Sequence, residues 1–179
     1  MADLSSSVDD SPASAGREPE EVELVRRAQL GSAAAFEQLV LLRGPDLFRY
    51  LALRLGDERD ARDALQETLA AAWQALPRLR ESAKFWPWLI GIALHKAADT
   101  TRARVAVSDY VPDVQREDEF AFELREAIAA LPPHFRDVLL LRYRLDLSEE
   151  EVAEVLGVRL GTVKSRSARA RKALRDLLR

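Results

Sequence analysis

The sequence predicts an all-α protein made of two small helical domains joined by an acidic linker. Almost everywhere after residue 20, apolar residues recur at intervals of three and four, which is the repeat of an amphipathic helix. No stretch sustains the strict polar–apolar alternation that a half-buried strand requires. The helical repeat fades once, over residues 105–118, and the segment beyond it predicts a helix-turn-helix in the C-terminal domain.

Composition and charge narrow the possible functions. The 179-residue chain has no cysteine, which excludes disulfides, thiolate nucleophiles and cysteine-ligated zinc. We expect a cytoplasmic protein without membrane insertion of its own, because no apolar run approaches roughly 20 residues and the N-terminus lacks a secretory signal pattern. The net charge is −3, but residues 157–179 alone carry +7, which leaves −10 on the remaining residues. A basic segment of this density is typical of nucleic-acid binding.

The tail and first helices are predicted from composition and from residues that interrupt helices. Residues 1–19 are rich in Ser, Asp, Ala and Pro, which predicts a disordered tail before an N-terminal domain at 20–104. Glycine and proline favour a break at Gly31-Ser32 and a break or kink at Gly44-Pro45. The helices predicted between these breaks cover residues 21–30, 33–42 and 46–55.

The next predicted helix has two different faces and begins after Asp57, a candidate N-cap. The apolar face, expected to be buried, consists of Ala61, Ala64, Leu65, Thr68, Leu69, Ala72, Trp73 and Leu76. The opposite face must meet water or a partner, and it holds Asp60, Asp63, Gln66, Glu67 and Gln74. Pro77 ends this helix. Another helix, with Pro87 tolerated in its first turn, runs from Phe85 to about Arg104.

Residues 105–118 predict the linker, because acids dominate the segment and Pro112 interrupts it. The C-terminal domain follows at 119–179, with helices from about 120 to 131 and from 134 to 143. A capping box formed by Ser148 and Glu151 then starts a short helix that ends at Gly157. The last helix is predicted over residues 160–178.

The short capped helix, the glycine turn and the long basic helix together predict a helix-turn-helix, whose second helix enters the major groove. In the last helix Val163, Ala170, Leu174 and Leu177 mark the buried stripe. Ser167 falls on the same stripe. It predicts either a small under-packed spot, which we favour, or a hydroxyl bonded to the Val163 carbonyl. The cations expected on the remaining surface are Lys164, Arg166, Arg169, Arg171, Lys172 and Arg175.

Two segments resemble a known family. LPPHFRDVLLLRYRLDLSEEEVAEVLGVRLGTVKSRSARARKALRDLL is similar to the promoter-reading C-terminal domain of extracytoplasmic-function (ECF) sigma factors. Upstream, DERDARDALQETLAAAW and KFWPWLIGIALHKAADTTR resemble the N-terminal domain of the same family. The resemblance covers about residues 20–104 and 119–179. It implies a factor that directs core RNA polymerase to promoters under anti-sigma control, with no catalytic chemistry and no cofactor or metal.

The resemblance also implies roles for individual residues. Asp63, Gln66, Glu67 and Thr68 match the motif that docks on the clamp coiled coil of RNA polymerase, and Asp60 shares their polar face. The segment from Leu79 to Arg104 corresponds to the part that captures and melts the minus-ten element. Its candidate DNA contacts are Lys84, Trp86, His95, Lys96, Arg102 and Arg104. Leu94 and His95 depart from the family, which more often has Arg and Asn there.

In the last helix, the positions that match the family's minus-thirty-five readers are Lys164, Ser165, Ala168 and Arg169. We expect phosphate contacts from Thr162, Arg166, Arg171 and Lys172.

Two other functions remain open from the sequence. A helix-turn-helix regulator that does not dock on core polymerase would need a sensory or receiver domain, and the N-terminal half shows no alternating βα pattern for one. An all-helical enzyme would need a catalytic or metal site. The two histidines, His95 and His134, lie in different domains without the spacing of a metal motif.

Overall fold

A computed structural model describes residues 18–103 and 119–178, and every regular element in these two ranges is helical. The N-terminal half contains α1 (Glu18–Gln29), α2 (Ala33–Leu55), α3 (Glu58–Ala75) and α4 (Phe85–Ala103), with 3-10 turns at Leu76–Arg78 and Ser82–Lys84. The C-terminal half contains α5 (Glu119–Ala130), α6 (Pro133–Leu139), a π-helical turn (Leu140–Arg144), α7 (Glu149–Leu156) and α8 (Leu160–Leu177). The predicted linker and residues 1–17 of the predicted tail lie outside the described residues.

The start of α1 corrects the predicted boundary of the tail. Glu18 and Pro19 belong to the first turn of this helix. Proline is favoured there because its missing N–H has no partner inside a first turn. The helix is then fixed by apolar contacts at Val25 and Ala28, which are both buried against the N-terminal core.

Of the break or kink predicted at Gly44-Pro45, the break is wrong, because α2 runs through both residues. Proline removes one backbone donor, which would otherwise bond to the carbonyl of Leu41, and that residue lies on the solvent side of the helix. Leu39 and Leu47, on either side of the expected break, are buried in one core. Tertiary packing of a continuous apolar face therefore outweighs the local signal.

Helix ends that depend on side-chain caps form as predicted. The Asp57 carboxylate accepts a hydrogen bond from the Asp60 backbone N–H at 2.9 Å. The Ser148 Oγ accepts from the Glu151 N–H at 3.1 Å, and Glu151 Oε2 accepts from the Ser148 N–H at 2.7 Å, so the capping box is confirmed. Gly157 has a φ of 62°, the left-handed conformation that stops α7 and starts the tight turn to α8.

The predicted helix over 134–143 is two elements. After α6 the chain widens into the π-helical turn, where the Leu145 N–H donates to the Leu140 carbonyl at 3.1 Å. Asp146 follows with a φ of 55°, which turns the chain toward α7. Leu177, predicted to be buried, is 50% exposed, because it lies in the last turn of α8 beyond the described packing partners.

The two halves pack against each other. A single cluster of buried apolar residues extends from Val25 in α1 to Val163 in α8. Ion pairs also join the halves: Arg54 Nη1 lies 2.8 Å from Asp137 Oδ1, and Arg144 Nη2 lies 3.7 Å from Asp46 Oδ1. None of the helices in the described ranges has the length and apolar character needed to cross a membrane.

Candidate nucleic-acid interface

The basic surface of α8 is the first part of the candidate interface. Val152 in α7 and Val163 in α8 are fully buried and hold the two helices together across the turn at Gly157. The predicted residues that α8 presents to solvent are Lys164, Ser165, Ala168, Arg169, Arg171 and Lys172, while Thr162 and Arg166 are half-buried. The arrangement can therefore place cations and hydroxyls along a polyanion.

Ser165 and Arg169 act as one unit on this surface. Arg169 donates from Nε to the Ser165 carbonyl and from Nη2 to Ser165 Oγ, both at 3.3 Å. Ser165 Oγ in turn donates to the Thr162 carbonyl at 3.1 Å. The Arg169 guanidinium also lies 6.0 Å from the ring centroid of Phe135. These contacts hold the guanidinium against the helix and restrict its rotamers.

Ser167 faces the interior of the C-terminal half and is 5% exposed. Its hydroxyl has no hydrogen-bond partner within the described ranges, so the alternative of a bond to the Val163 carbonyl is wrong. A buried hydroxyl without a partner retains the cost of leaving water. Ser167 therefore lowers the free energy of unfolding of the C-terminal half, on the inner side of the helix that carries the basic surface.

The polar face of α3 is the second candidate surface. Asp63, Gln66 and Glu67 are exposed there, and Asp60 is half-buried. Thr68 is a correction to the docking set, because its side chain is fully buried and Oγ1 donates to the Ala64 carbonyl at 2.6 Å. The helical repeat had placed Thr68 on the apolar face, and only the motif match had assigned it to the docking surface.

An apolar groove lies beside this polar face, between α2 and α3. It is lined by Phe36, Glu37, Val40, Leu41, Leu69, Ala70 and Trp73. Leu41 is 77% exposed and Trp73 is 37% exposed, although the helical repeat predicted that Trp73 would be buried. The signal that we missed is the run Leu39-Val40-Leu41-Leu42. Four consecutive apolar residues cannot all lie on the one buried face of a helix.

The minus-ten candidates differ in exposure and in ion pairing. Lys84 Nζ lies 3.1 Å from Glu154 Oε1 in α7, and Lys96 Nζ lies 3.3 Å from Glu67 Oε2 on the polar face of α3. His95 is exposed on α4. Arg102 belongs to the last turn of α4, but its side chain is outside the described part of the chain, and so is the whole of Arg104.

Trp86 is only 8% exposed, since it is enclosed between the two halves. Its indole Nε1 donates to the Leu145 carbonyl, at the end of the π-helical turn, over 3.1 Å. On the other side, the Arg43 guanidinium lies 4.8 Å from the indole centroid, and Arg43 Nε donates to Glu21 Oε1 at 2.8 Å. A base cannot reach this ring while the halves are packed together.

Comparison with known proteins accounts for both halves. The family model for Sigma-70 region 2 matches residues 39–106, and the model for Sigma-70 region 4 matches residues 121–174. The ECF RNA polymerase sigma factor SigC of Mycobacterium tuberculosis is 35% identical over 84% of this chain and 87% of its own length. The chain belongs to the ECF RNA polymerase sigma factors. A helix-turn-helix regulator that lacks polymerase docking is therefore not favoured.

Solved structures give the same result for the architecture of this sigma factor. The structure of CnrH in complex with the cytosolic domain of CnrY has a TM-score of 0.72 at 31% identity, covering 88% of this chain and 96% of that one. RpoE in complex with the anti-sigma factor NepR from Bartonella quintana has a TM-score of 0.71 at 26% identity, covering 80% and 96%. The all-α fold with a region 2 half and a region 4 half is thereby confirmed.

Proposed function

We propose that this sigma factor docks on core RNA polymerase through the polar face of α3 and reads the minus-thirty-five element with α8. The observation that carries the proposal is the simultaneous exposure of Asp63, Gln66 and Glu67 on one helix and of the basic residues on another. The polymerase supplies the catalytic chemistry, and the sigma factor itself contributes binding and promoter selection in the cytoplasm.

The docking surface extends from the polar face of α3 onto the apolar groove. Glu37 and Glu67 supply negative charge, while Leu41 and Trp73 offer exposed apolar area next to it. A partner segment with basic and apolar residues on one face complements this surface, because apolar contact gives affinity and opposite charge fixes the orientation.

Charge reversal at Glu67 tests the docking surface. Glu67→Lys should weaken binding to core polymerase at least tenfold, since it places a cation where the partner presents one. Binding is measured by fluorescence anisotropy of labelled sigma factor titrated with core enzyme. Glu23→Lys, an equal charge reversal at an exposed position of α1, should leave the affinity unchanged.

A second control separates docking from the internal ion pair. Lys96→Ala removes the contact with Glu67 but keeps the carboxylate available. Wild-type affinity in Lys96→Ala together with loss in Glu67→Lys supports docking by Glu67. Undiminished core affinity in Glu67→Lys would remove the assignment.

The packed arrangement of the two halves is proposed as the resting state of the free sigma factor. Trp86 is enclosed and cannot meet DNA until the halves separate. Lys84 and His95 are exposed, but Lys84 is paired with Glu154 of α7 in the packed arrangement. Because the RpoE relative is in complex with an anti-sigma factor, we propose an anti-sigma partner for this chain as well. A partner that holds the halves together would keep Trp86 covered.

A further inference from the structure

Gln29, the last residue of α1, is joined to the loop that connects α3 with α4. Its side-chain amide donates from Nε2 to the Leu79 carbonyl at 2.7 Å and to the Leu76 carbonyl at 3.2 Å. The Oε1 atom accepts from Ser82 Oγ at 3.2 Å. One side chain therefore binds three points of the segment 76–84, which we call the 76–84 loop, although about 50 residues separate them from it in sequence.

The chemistry of the amide suits this task. Two N–H donors and one carbonyl acceptor are needed to satisfy two backbone carbonyls and one hydroxyl at once, and only Asn and Gln carry this set on one side chain. Glutamine has the extra methylene needed to reach from a helix end. A carboxylate at this position would face two carbonyl oxygens without a proton to share.

The base of Gln29 is itself held in place. Val25 and Ala28 in the same helix are buried, and Arg43 in α2 bonds to Glu21 one turn further back. Gly31 follows with a φ of 94°, which ends α1 next to the loop. The amide is thus presented from a rigid helix and not from a free chain end.

The 76–84 loop has a fixed backbone and an exposed basic surface. Its two 3-10 turns are closed by hydrogen bonds from the Leu79 N–H to the Leu76 carbonyl and from the Lys84 N–H to the Glu81 carbonyl. The side chains directed to solvent include those of Arg78, Arg80 and Lys84. Binding of a single strand with unstacked bases requires cations held on a protein backbone of fixed shape.

We propose that Gln29 is a positioning residue, which fixes the 76–84 loop in the shape that receives the minus-ten strand during promoter melting. The inference rests on the proposed function, since it assumes that this loop meets the minus-ten element. It assigns to α1 a role in melting, although α1 lies outside the residues matched by the region 2 family model.

The test uses holoenzyme reconstituted from full-length Gln29→Met and core polymerase. Methionine keeps the length of the side chain and removes all three hydrogen bonds. Open-complex formation on a duplex promoter, followed by permanganate reactivity, should fall about tenfold, a factor within the net worth of these bonds. Run-off transcription from a template already melted over the minus-ten region should return to within about twofold of wild type. Gln38→Met, at an exposed glutamine of α2, is the matched control and should change neither.

Three readouts distinguish positioning from loss of fold and from failure of the proposed function. Core affinity should remain that of wild type. If Gln29→Met does not fold, Ser82→Ala removes the Ser82 bond alone and should show a smaller defect of the same kind. Lys84→Ala holoenzyme should bind a single-stranded minus-ten oligonucleotide more weakly. A defect in Lys84→Ala without one in Gln29→Met, or equal losses of Gln29→Met on duplex and premelted templates, would overturn the inference. No defect in Lys84→Ala would instead overturn the assumed role of the loop.

Discussion

In the C-terminal half of this sigma factor the candidate DNA contacts of α8 lie largely in solvent, whereas in the N-terminal half the aromatic candidate, Trp86, is enclosed between the halves. Arg171 and Lys172 are exposed, and neither has an ion pair within the described part of the chain. Trp86, in contrast, is enclosed and bonded to the Leu145 carbonyl, and Lys84 is paired with Glu154. Under the proposed function, α8 can meet DNA in the packed arrangement, while contact between DNA and Trp86 requires the halves to separate.

Linking the two halves covalently tests whether they must separate for initiation. The natural chain has no cysteine, so Lys84→Cys with Glu154→Cys gives a protein with only two thiols. Joining them with a short disulfide-containing bis-maleimide should reduce promoter-dependent run-off to background, because Trp86 stays covered. Reductant cleaves the linker and should return run-off to the level of the double variant before linking, and each single-cysteine variant treated in the same way should keep its own untreated level. Wild-type initiation by the locked protein would contradict a closed resting state.

Two substitutions in α8 distinguish base reading from phosphate contact. Arg169→Ala should cost about 1–3 kcal/mol on the cognate minus-thirty-five duplex and relax the preference at one base pair, as expected for a guanidinium that grips guanine. Lys172→Ala, almost one turn nearer the helix end, should weaken all duplexes about equally and reduce the salt slope by about one unit. Titrations of cognate and scrambled duplexes at several salt concentrations measure both. Equal loss on the two duplexes in Arg169→Ala would show that it does not read bases.

Each half also contains a buried hydroxyl that has no partner in the described ranges, Tyr50 in α2 and Ser167 in α8. Burial raises the pKa of the Tyr50 phenol above its ordinary value, so the group stays neutral. Tyr50→Phe and Ser167→Ala should each increase the free energy of unfolding by up to about 1 kcal/mol, because the uncompensated desolvation is removed. Denaturant titration checks this, with Ser165→Ala as an exposed control. A loss of stability in either variant would show that the hydroxyl is bonded in solution.

The smallest effect concerns Asp137, which pairs with Arg54 between the halves. Burial raises the pKa of Asp137 more than Arg54 lowers it. The folded protein therefore binds a proton more readily than the unfolded chain, and this residue's contribution to stability falls as pH rises from the ordinary aspartate range through the raised value. On acidification through that window, wild type should gain stability relative to Asp137→Asn. Denaturant titrations of both proteins at several pH values measure the difference, and the opposite slope would mean that the ion pair dominates.

Much of this fold could be predicted from the sequence because its signals are local. The capping residues Asp57 and Ser148 act within one turn, and Gly157 needs only its own backbone freedom. The amphipathic repeat similarly placed Thr68 in the core, where it is found. The same repeat predicted that Gln66 and Glu67 lie on the polar face of α3, where both are exposed.

The features that could not be predicted depend on partners far away in sequence. Local rules predict a break or kink at Gly44-Pro45, and the packing of α2 on both sides prevents the break. The sequence indicates that Trp86 is available to DNA, but its indole donates to the carbonyl of Leu145, which lies 59 residues later in the chain. The three bonds of Gln29 to the 76–84 loop likewise follow from no periodicity, because they join a helix end to irregular backbone.

The bond between the Trp86 indole and the Leu145 carbonyl favours the packed arrangement, which should lower the apparent affinity for minus-ten DNA. A protein that is competent in only a fraction of its molecules shows an apparent affinity reduced by that same fraction. A closed population of 99% would thus make minus-ten binding about 100-fold weaker without altering any DNA-contacting group. A ligand that binds only the separated halves removes this reduction for the next ligand, whose apparent affinity then rises by the same factor. Polymerase and promoter would therefore bind the sigma factor cooperatively, even where their binding surfaces on it are not in contact.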